Sequence, residues 1–198
     1  MRKLLGIAIL AATCVAAETI TQAERNKTVQ HLNDTRAKFL ASIKGLSAEQ
    51  WNFKPAPDVW SVGQVAEHIT VSEGSILDLV RLKILAAPAN PELAEQAKGN
   101  DDKILTRVVD RSEKAQAPEF LRPTARWAQA DLPAEFESRR AKTIEFIRTT
   151  QDDLRGHALP HPVFKAMDAY QWVLLISGHS ARHTLQIEEV KANPSFPK

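Results

Sequence analysis

The stretch from Asp168 to about Ala192 limits what this chain can fold into more than any other. At 100° per residue, Trp172, Leu175, Ile176, His179, His183, Gln186, Ile187 and Val190 fall on one stripe, so the segment reads as an amphipathic helix with that stripe turned to the core. Asp168 with Gln171 makes a capping-box pattern at its start, and Asn193-Pro194 supplies a stop. Two imidazoles four residues apart stand one turn above each other on such a helix and can grip one metal ion. Both lie on the stripe expected to be buried, where polar groups need partners, and a metal is one candidate.

The rest of the chain offers partners of the same kind. Long stretches rich in Ala, Leu, Glu, Gln, Lys and Arg, with few alternating apolar runs, predict an all-α protein. With 198 residues and 43% apolar content, one domain is expected. The first long helix runs from about Thr21 to Lys44 on Val29, Leu32, Phe39, Leu40 and Ile43; Arg36 falls inside its stripe and Gly45 sits where it ends. Ser47 to Gln50 opens a short helical turn, and Lys54-Pro55-Ala56-Pro57-Asp58 forces an extended loop. Trp51, Phe53 and Trp60 are expected to pack that loop down as a lid. A capping box at Ser61 and Gln64 starts a second long helix to about Leu85, with Val62, Val65, Ile69, Ile76, Leu79 and Val80 inward. His68 lies at the edge of that face, among the small polar Gln64, Ser72 and Ser75.

Residues 86–100 read as linker, followed by a short helix from about Asp101 to Ala115 and a loop through Trp127. The third long helix spans about Pro133 to Leu154, with Phe136, Arg140, Thr143, Ile144, Ile147 and Leu154 facing in. The middle region can carry the chain from one end of a bundle to the other, so this helix need not be antiparallel to the second. Gly156 to Met167 is a connector in which His157 and His161 read as polar loop residues.

At the N-terminus, Arg2 and Lys3 precede an apolar run from Leu4 to Val15 and then small residues, the layout of a secretory signal peptide. About twelve helical residues reach roughly 18 Å, short of a hydrocarbon core of about 30 Å, so a transmembrane anchor is disfavoured. Cleavage is expected after Ala17, with Ala23 as the later alternative, leaving a domain over residues 18–198 in the periplasm or outside the cell. Cys14, the one cysteine, would leave with the peptide. So would two of the 26 Lys and Arg residues, which brings the charge level with the 24 acidic residues. A balanced charge gives no footprint for nucleic acid or for an anionic membrane.

His68, His179 and His183 make three neutral nitrogen ligands from two helices, and a tetrahedral ion held by them keeps its fourth position open, as catalytic zinc sites do. Ser180 stands where a zincin motif has its general base, so protease chemistry of that type is excluded. The segment Trp60-Ser61-Val62-Gly63-Gln64-Val65-Ala66-Glu67-His68-Ile69, followed far downstream by His179-x-x-x-His183-x-x-Gln186-Ile187, resembles the DinB/YfiT-like family of metal-binding four-helix bundles. The resemblance covers nearly all of the expected mature chain. It implies a four-helix bundle with a crossover between its second and third helices, and a metal triad at His68, His179 and His183. It also implies an activity of the kind found among relatives, thiol-dependent S-transfer or isomerisation on a divalent metal. An exported protein would rarely meet such thiols, so hydrolysis is the obvious change of chemistry.

Two functional classes follow: a metal-dependent enzyme acting on a small molecule, and a non-catalytic metal- or ligand-binding bundle. Zn²⁺ suits the triad, and Ni²⁺ or another first-row ion uses the same ligands. Gln64, Ser72, Ser75 and Arg140 are the candidate pocket wall, and Gln186 is the candidate partner that orients a histidine. Tyr170, Val173, Leu174, Ala181 and Leu185 give the last helix a second apolar face, to be covered by the Trp51 to Trp60 loop or by a second subunit in a homodimer.

Overall fold

A computed structural model describes residues 20–112 and 116–198; the expected signal peptide, residues 1–17, lies outside them. The long helices are α1 (Gln22–Ile43), α3 (Val62–Leu79), α6 (Leu132–Thr149) and α7 (Ala169–Lys191). Between them come the short helices α2 (Ala48–Asn52), α4 (Pro91–Ala97) and α5 (Asp101–Arg107), and a hairpin of β1 (Ala158–His161) and β2 (Lys165–Asp168). Capping boxes at Thr21/Glu24, Ser47/Gln50, Ser61/Gln64 and Asp168/Gln171 fix four helix starts, including both that the sequence pattern marked on the site-bearing helices. Each such cap stabilises its helix by about 1 kcal/mol. Gly45 follows α1 at φ +72°, a backbone state that costs glycine nothing. Gly63 is needed for another reason: a Cβ there would fall 2.3 Å from Trp51 Nε1, so the indole packs directly on the α3 backbone.

Helix α7 packs against α1 and α3, and α6 packs against the same two, so α1 faces α3 and α6 faces α7 across the diagonals. Contacts fix the directions. Thr28 meets Tyr170 and Lys191 reaches Ser42, so α1 and α7 are parallel. Arg25 reaches the Ile147 and Thr150 carbonyls and Arg140 reaches Leu32, so α1 and α6 are antiparallel. Helices α3 and α6 share two apolar clusters in the same order, Ile69 with Phe136 and Ile76 with Ile144, and are therefore parallel. A parallel pair requires the crossover expected between the second and third bundle helices, and the segment containing α4 and α5 provides it. This is an all-α four-helix bundle with one small hairpin added.

Three local expectations are corrected. Residues 91–97 are helical rather than linker, because Asn90 caps Leu93 and Pro91 occupies the first turn, where its missing N–H costs nothing. The connector after α6 is the hairpin, in which Lys165 turns the chain at φ +63°. The third correction concerns α7, whose buried residues include Tyr170, Val173, Leu174, Ser177, Ser180 and Thr184 beside Ile176, Ile187 and Val190 of the expected stripe. Of the expected second apolar surface, Tyr170, Val173 and Leu174 thus belong to the core and pack towards α1 rather than the Trp51 to Trp60 loop, whereas Ala181 is half-buried and Leu185 is 46% exposed. Trp51 itself is buried as expected, and Phe53 packs edge-on against Phe196.

The bundle core is split in two. One cluster holds Phe39, Val65, Ile69, Phe136 and Ile187; the other holds Leu32, Ile76, Ile144, Ile147, Val173 and Leu174. Between them lies a polar layer around Arg140 and Glu73, whose side chains are both 0% exposed. Arg140 donates from Nε and Nη2 to the two carboxylate oxygens of Glu73 at 2.8 and 2.7 Å. It also donates to the Leu32 carbonyl, to Thr35 Oγ1 at 2.8 Å and to Ser180 Oγ at 2.8 Å, while Thr143 donates to Glu73 at 2.8 Å. Each long helix contributes a partner, and so buried charges that would be prohibitive alone are tolerated. Arg140→Met alone leaves Glu73 uncompensated and is expected to lower the unfolding free energy by about 3–5 kcal/mol, whereas the double variant Glu73→Leu/Arg140→Met recovers most of it. Urea denaturation of both checks this; a single variant as stable as the parent would refute it.

Candidate metal centre

Helix α3 is buried at every position from Val65 to Glu73, because α6 and α7 cover it inside the bundle and α2 and the end of the crossover cover it outside. His68 lies in that stretch, 2% exposed. Its Nδ1 is 2.9 Å from the Leu121 carbonyl, which can only accept, so Nδ1 carries the proton and Nε2 presents a lone pair. Nε2 faces Nε2 of His179 at 3.2 Å. His183 completes the cluster, with ring centroids 4.5 Å from His68 and 4.4 Å from His179. One nitrogen from each of the three lies within 4.8 Å of the others. His183 Nδ1 is 2.8 Å from Gln186 Oε1, the orienting contact expected of Gln186. Arg111 Nη1 donates to the same oxygen at 3.4 Å and is itself held by a two-pronged pair with Glu189. The Trp60 ring packs on His68, centroids 5.1 Å apart.

The donor set fits a divalent ion. Imidazole nitrogens bound tetrahedrally at about 2.0–2.1 Å stand about 3.3 Å apart, close to the His68–His179 separation. Burial holds all three rings below the ordinary imidazole value. His183 is pushed down to about 3 by burial and then by repulsion from His68, with Gln186 opposing. His179 is lowered well below the usual value by burial and by its two partner imidazoles. The triad is therefore neutral at pH 7, the state that binds metal.

The other predicted site residues divide. Ser72, one turn along α3 from His68, is buried with a hydroxyl that has no hydrogen-bond partner, and Ser75 is half-buried a turn further on. Gln64 serves the α3 cap and borders a cleft of 430 Å³ together with Trp51, Glu67, Thr124 and Trp127. Arg140 is not a pocket wall: its donors are taken up inside the bundle. His157 contacts the Ile84 carbonyl and His161 accepts from Val163 and Phe164 within the hairpin, so neither joins the triad. Neither that cleft nor a second of 540 Å³ beside Leu40 and Pro133 is bordered by a triad histidine; the site meets solvent through the part-exposed His179 and His183.

Sequence reasoning missed Leu121, Arg111 and Glu67. The first contacts through its backbone and leaves no side-chain signal. Glu67 did leave one: a carboxylate beside a histidine in a helix this apolar must have partners, and the backbone N–H groups of Thr124 and Ala125 with Arg126 Nη1 provide them at 2.8, 2.9 and 2.7 Å.

The sequence profile of the DinB superfamily matches residues 31–187, which contain all three histidines and Gln186. This chain belongs to the DinB superfamily. The uncharacterized protein YuaE of Bacillus subtilis is 28% identical over 160 residues, covering 80% of this chain and 94% of YuaE. Among solved structures, YfiT from Bacillus subtilis matches with a TM-score of 0.57 and 19% identity, over 91% of this chain and 93% of that one. YfiT is described as a probable metal-dependent hydrolase with an unusual four-helix bundle topology. For this DinB protein the likeness establishes the bundle, whose diagonal α1/α3 and α6/α7 pairs and parallel α3/α6 pair are described above.

The lowered imidazole values have a consequence for the metal-free DinB bundle. Between the folded value of about 3 for His183 and the ordinary 6.5, the unfolded chain takes up a proton that the folded chain refuses. Stability is therefore lost as pH falls below 6.5, by at most about 1.4 kcal/mol per pH unit for one proton. In chelator, the parent should lose stability more steeply from pH 7 to pH 5 than His183→Gln; equal slopes in urea titrations would contradict it.

Proposed function

We propose that this DinB protein is a metal-dependent enzyme acting on a small molecule, with one divalent ion held by His68, His179 and His183. The observation that carries the reading is the convergence of three neutral imidazoles from two rigid helices, with hydrogen bonds at His68 and His183 aiming their Nε2 atoms inward. When bound, such an ion supplies Lewis acidity and lowers the pKa of a water or thiol in its open position. The chain supplies orientation through Leu121 and Gln186 and water exclusion on one side through Trp60. Three nitrogen donors with one open position favour Zn²⁺. Hydrolysis is preferred over thiol transfer, because the N-terminal segment reads as an export signal and the compartments beyond it are poor in low-molecular-weight thiols. The second reading, a non-catalytic binding bundle, draws on the absence of a triad histidine from both clefts.

Purified protein is expected to hold about one divalent ion per chain, and His68→Ala, His179→Ala or His183→Ala to lose it. Elemental analysis checks this, and a wild-type protein that takes up no ion on reconstitution would remove the proposal. Because burial already disfavours the protonated rings, the ion should be retained below pH 6, where ordinary imidazoles would release it. Chelator-sensitive hydrolysis of ester, amide or lactone substrates separates the enzyme from the binding bundle.

Export carries its own test. Ile20 is 4% exposed within the core, and Thr21 caps α1 through Glu24, which also pairs with Arg155. Cleavage after Ala23 would remove Ile20 and the cap, whereas cleavage after Ala17 keeps both. N-terminal sequencing of the exported form is expected to start at Glu18; a soluble cytosolic form that retains Met1 would sink the export proposal.

A further inference from the structure

The end of the crossover, from Pro118 to Trp127, crosses α3 as a strap with little regular structure. It has one short helical turn, Glu119–Leu121, and Phe120 on that turn is 67% exposed. Two neighbouring residues of α3 grip it at different points. His68 binds the Leu121 carbonyl, while the buried Glu67 takes the N–H groups of Thr124 and Ala125 on its two oxygens. Arg126 closes the clamp, donating to Glu67 Oε1 at 2.7 Å and to the carbonyls of Arg122 and Phe120 at 2.9 and 3.3 Å. Ala125 is held at φ +59°, a conformation that L residues other than glycine avoid and that persists only where surrounding contacts enforce it.

A carbonyl on an irregular segment orients an imidazole only as well as the segment itself is fixed. Within the strap, side-chain contacts tie down the backbone on both sides of Leu121: Phe120 through Arg126, and Thr124 and Ala125 through Glu67. We infer that Glu67 is a positioning residue for His68: with Arg126 it locks the strap so that the Leu121 carbonyl accepts the Nδ1 proton of His68 and leaves Nε2 as the free ligand atom. The inference rests on the metal-site reading above for its consequence, but the tautomer it requires exists without metal. The hydrogen bonds of Glu67 go to Thr124, Ala125 and Arg126 of the strap, so it acts on His68 through the strap.

The test uses ¹⁵N-labelled full chain and the variants Glu67→Gln and Arg126→Met. In metal-free parent protein, imidazole ¹⁵N shifts should show His68 with its proton on Nδ1 alone. Both variants should show a mixture of tautomers, and Co²⁺ affinity by chelator competition should fall by about 10- to 100-fold, as for other groups that orient metal ligands. Retention of the parent tautomer and Co²⁺ affinity in both variants would overturn the inference. A parent that binds no Co²⁺ would instead defeat the metal reading, while the tautomer comparison still decides the positioning role. Should Glu67→Gln fail to fold, Arg126→Met decides alone, since Arg126 lies on the strap outside the bundle.

Discussion

The Arg140–Glu73 pair is the interaction on which the arrangement of this bundle depends. Apolar contacts between helices are forgiving of rotation and sliding, and two separate apolar clusters could each be satisfied in more than one register. A fully buried guanidinium cannot be. It must find the Glu73 carboxylate on α3, the Leu32 carbonyl and Thr35 on α1, and Ser180 on α7 together, and loss of one partner leaves an uncompensated polar group in the core. The layer thus selects one mutual register for four helices, among them the parallel α3/α6 pair that only a long crossover permits.

That crossover is more than a tether. A parallel connection has to return along the length of the bundle, and this one does so over the outer side of the α3/α7 groove. A Cβ added at Gly178 of α7 would meet Val108 at 3.5 Å, so the crossover runs close over α7 there, and the strap lies on α3. The groove between α3 and α7 would otherwise open broadly to solvent. Its covering holds the three imidazoles below their ordinary value, since burial is the largest cause of the depression at each of them.

Much of this was legible in the sequence, and the parts that were not share a physical cause. Helix starts were readable because capping boxes are local: Ser61/Gln64 and Asp168/Gln171 bracket the chemistry within four residues each. The His179/His183 pair was readable because its four-residue spacing is local, and His68, 111 residues from His179, was joined to it by the family pattern. The inward face of α7 was read only in part, through Ile176, Ile187 and Val190, because the helix has apolar residues on both sides, and periodicity alone does not say which side meets most of the core. The side that won carries Ser180, which sequence logic counts as neutral and which the core needs for Arg140. Arg140 itself was rightly turned inward and wrongly given to a pocket, for its partner Glu73 sits 67 residues away and no local pattern links them.

The phase of α7 ties these halves together. Ser180 donates its register to the core and His179, the preceding residue, gives its Nε2 to the site; the two side chains leave the helix about 100° apart. Any rotation that improved one contact would spoil the other, so the position of His179 and His183 relative to His68 is inherited from the buried ion pair rather than set by the ligands themselves. A metal site assembled this way pays little ordering entropy on binding, because the helices that carry its ligands are already locked by contacts that exist without it. The exception is the face of His68 turned to the strap, where irregular backbone provides the partner and a second buried carboxylate, Glu67, does for the strap what Glu73 does for the bundle: it gathers donors from elsewhere in the chain onto α3.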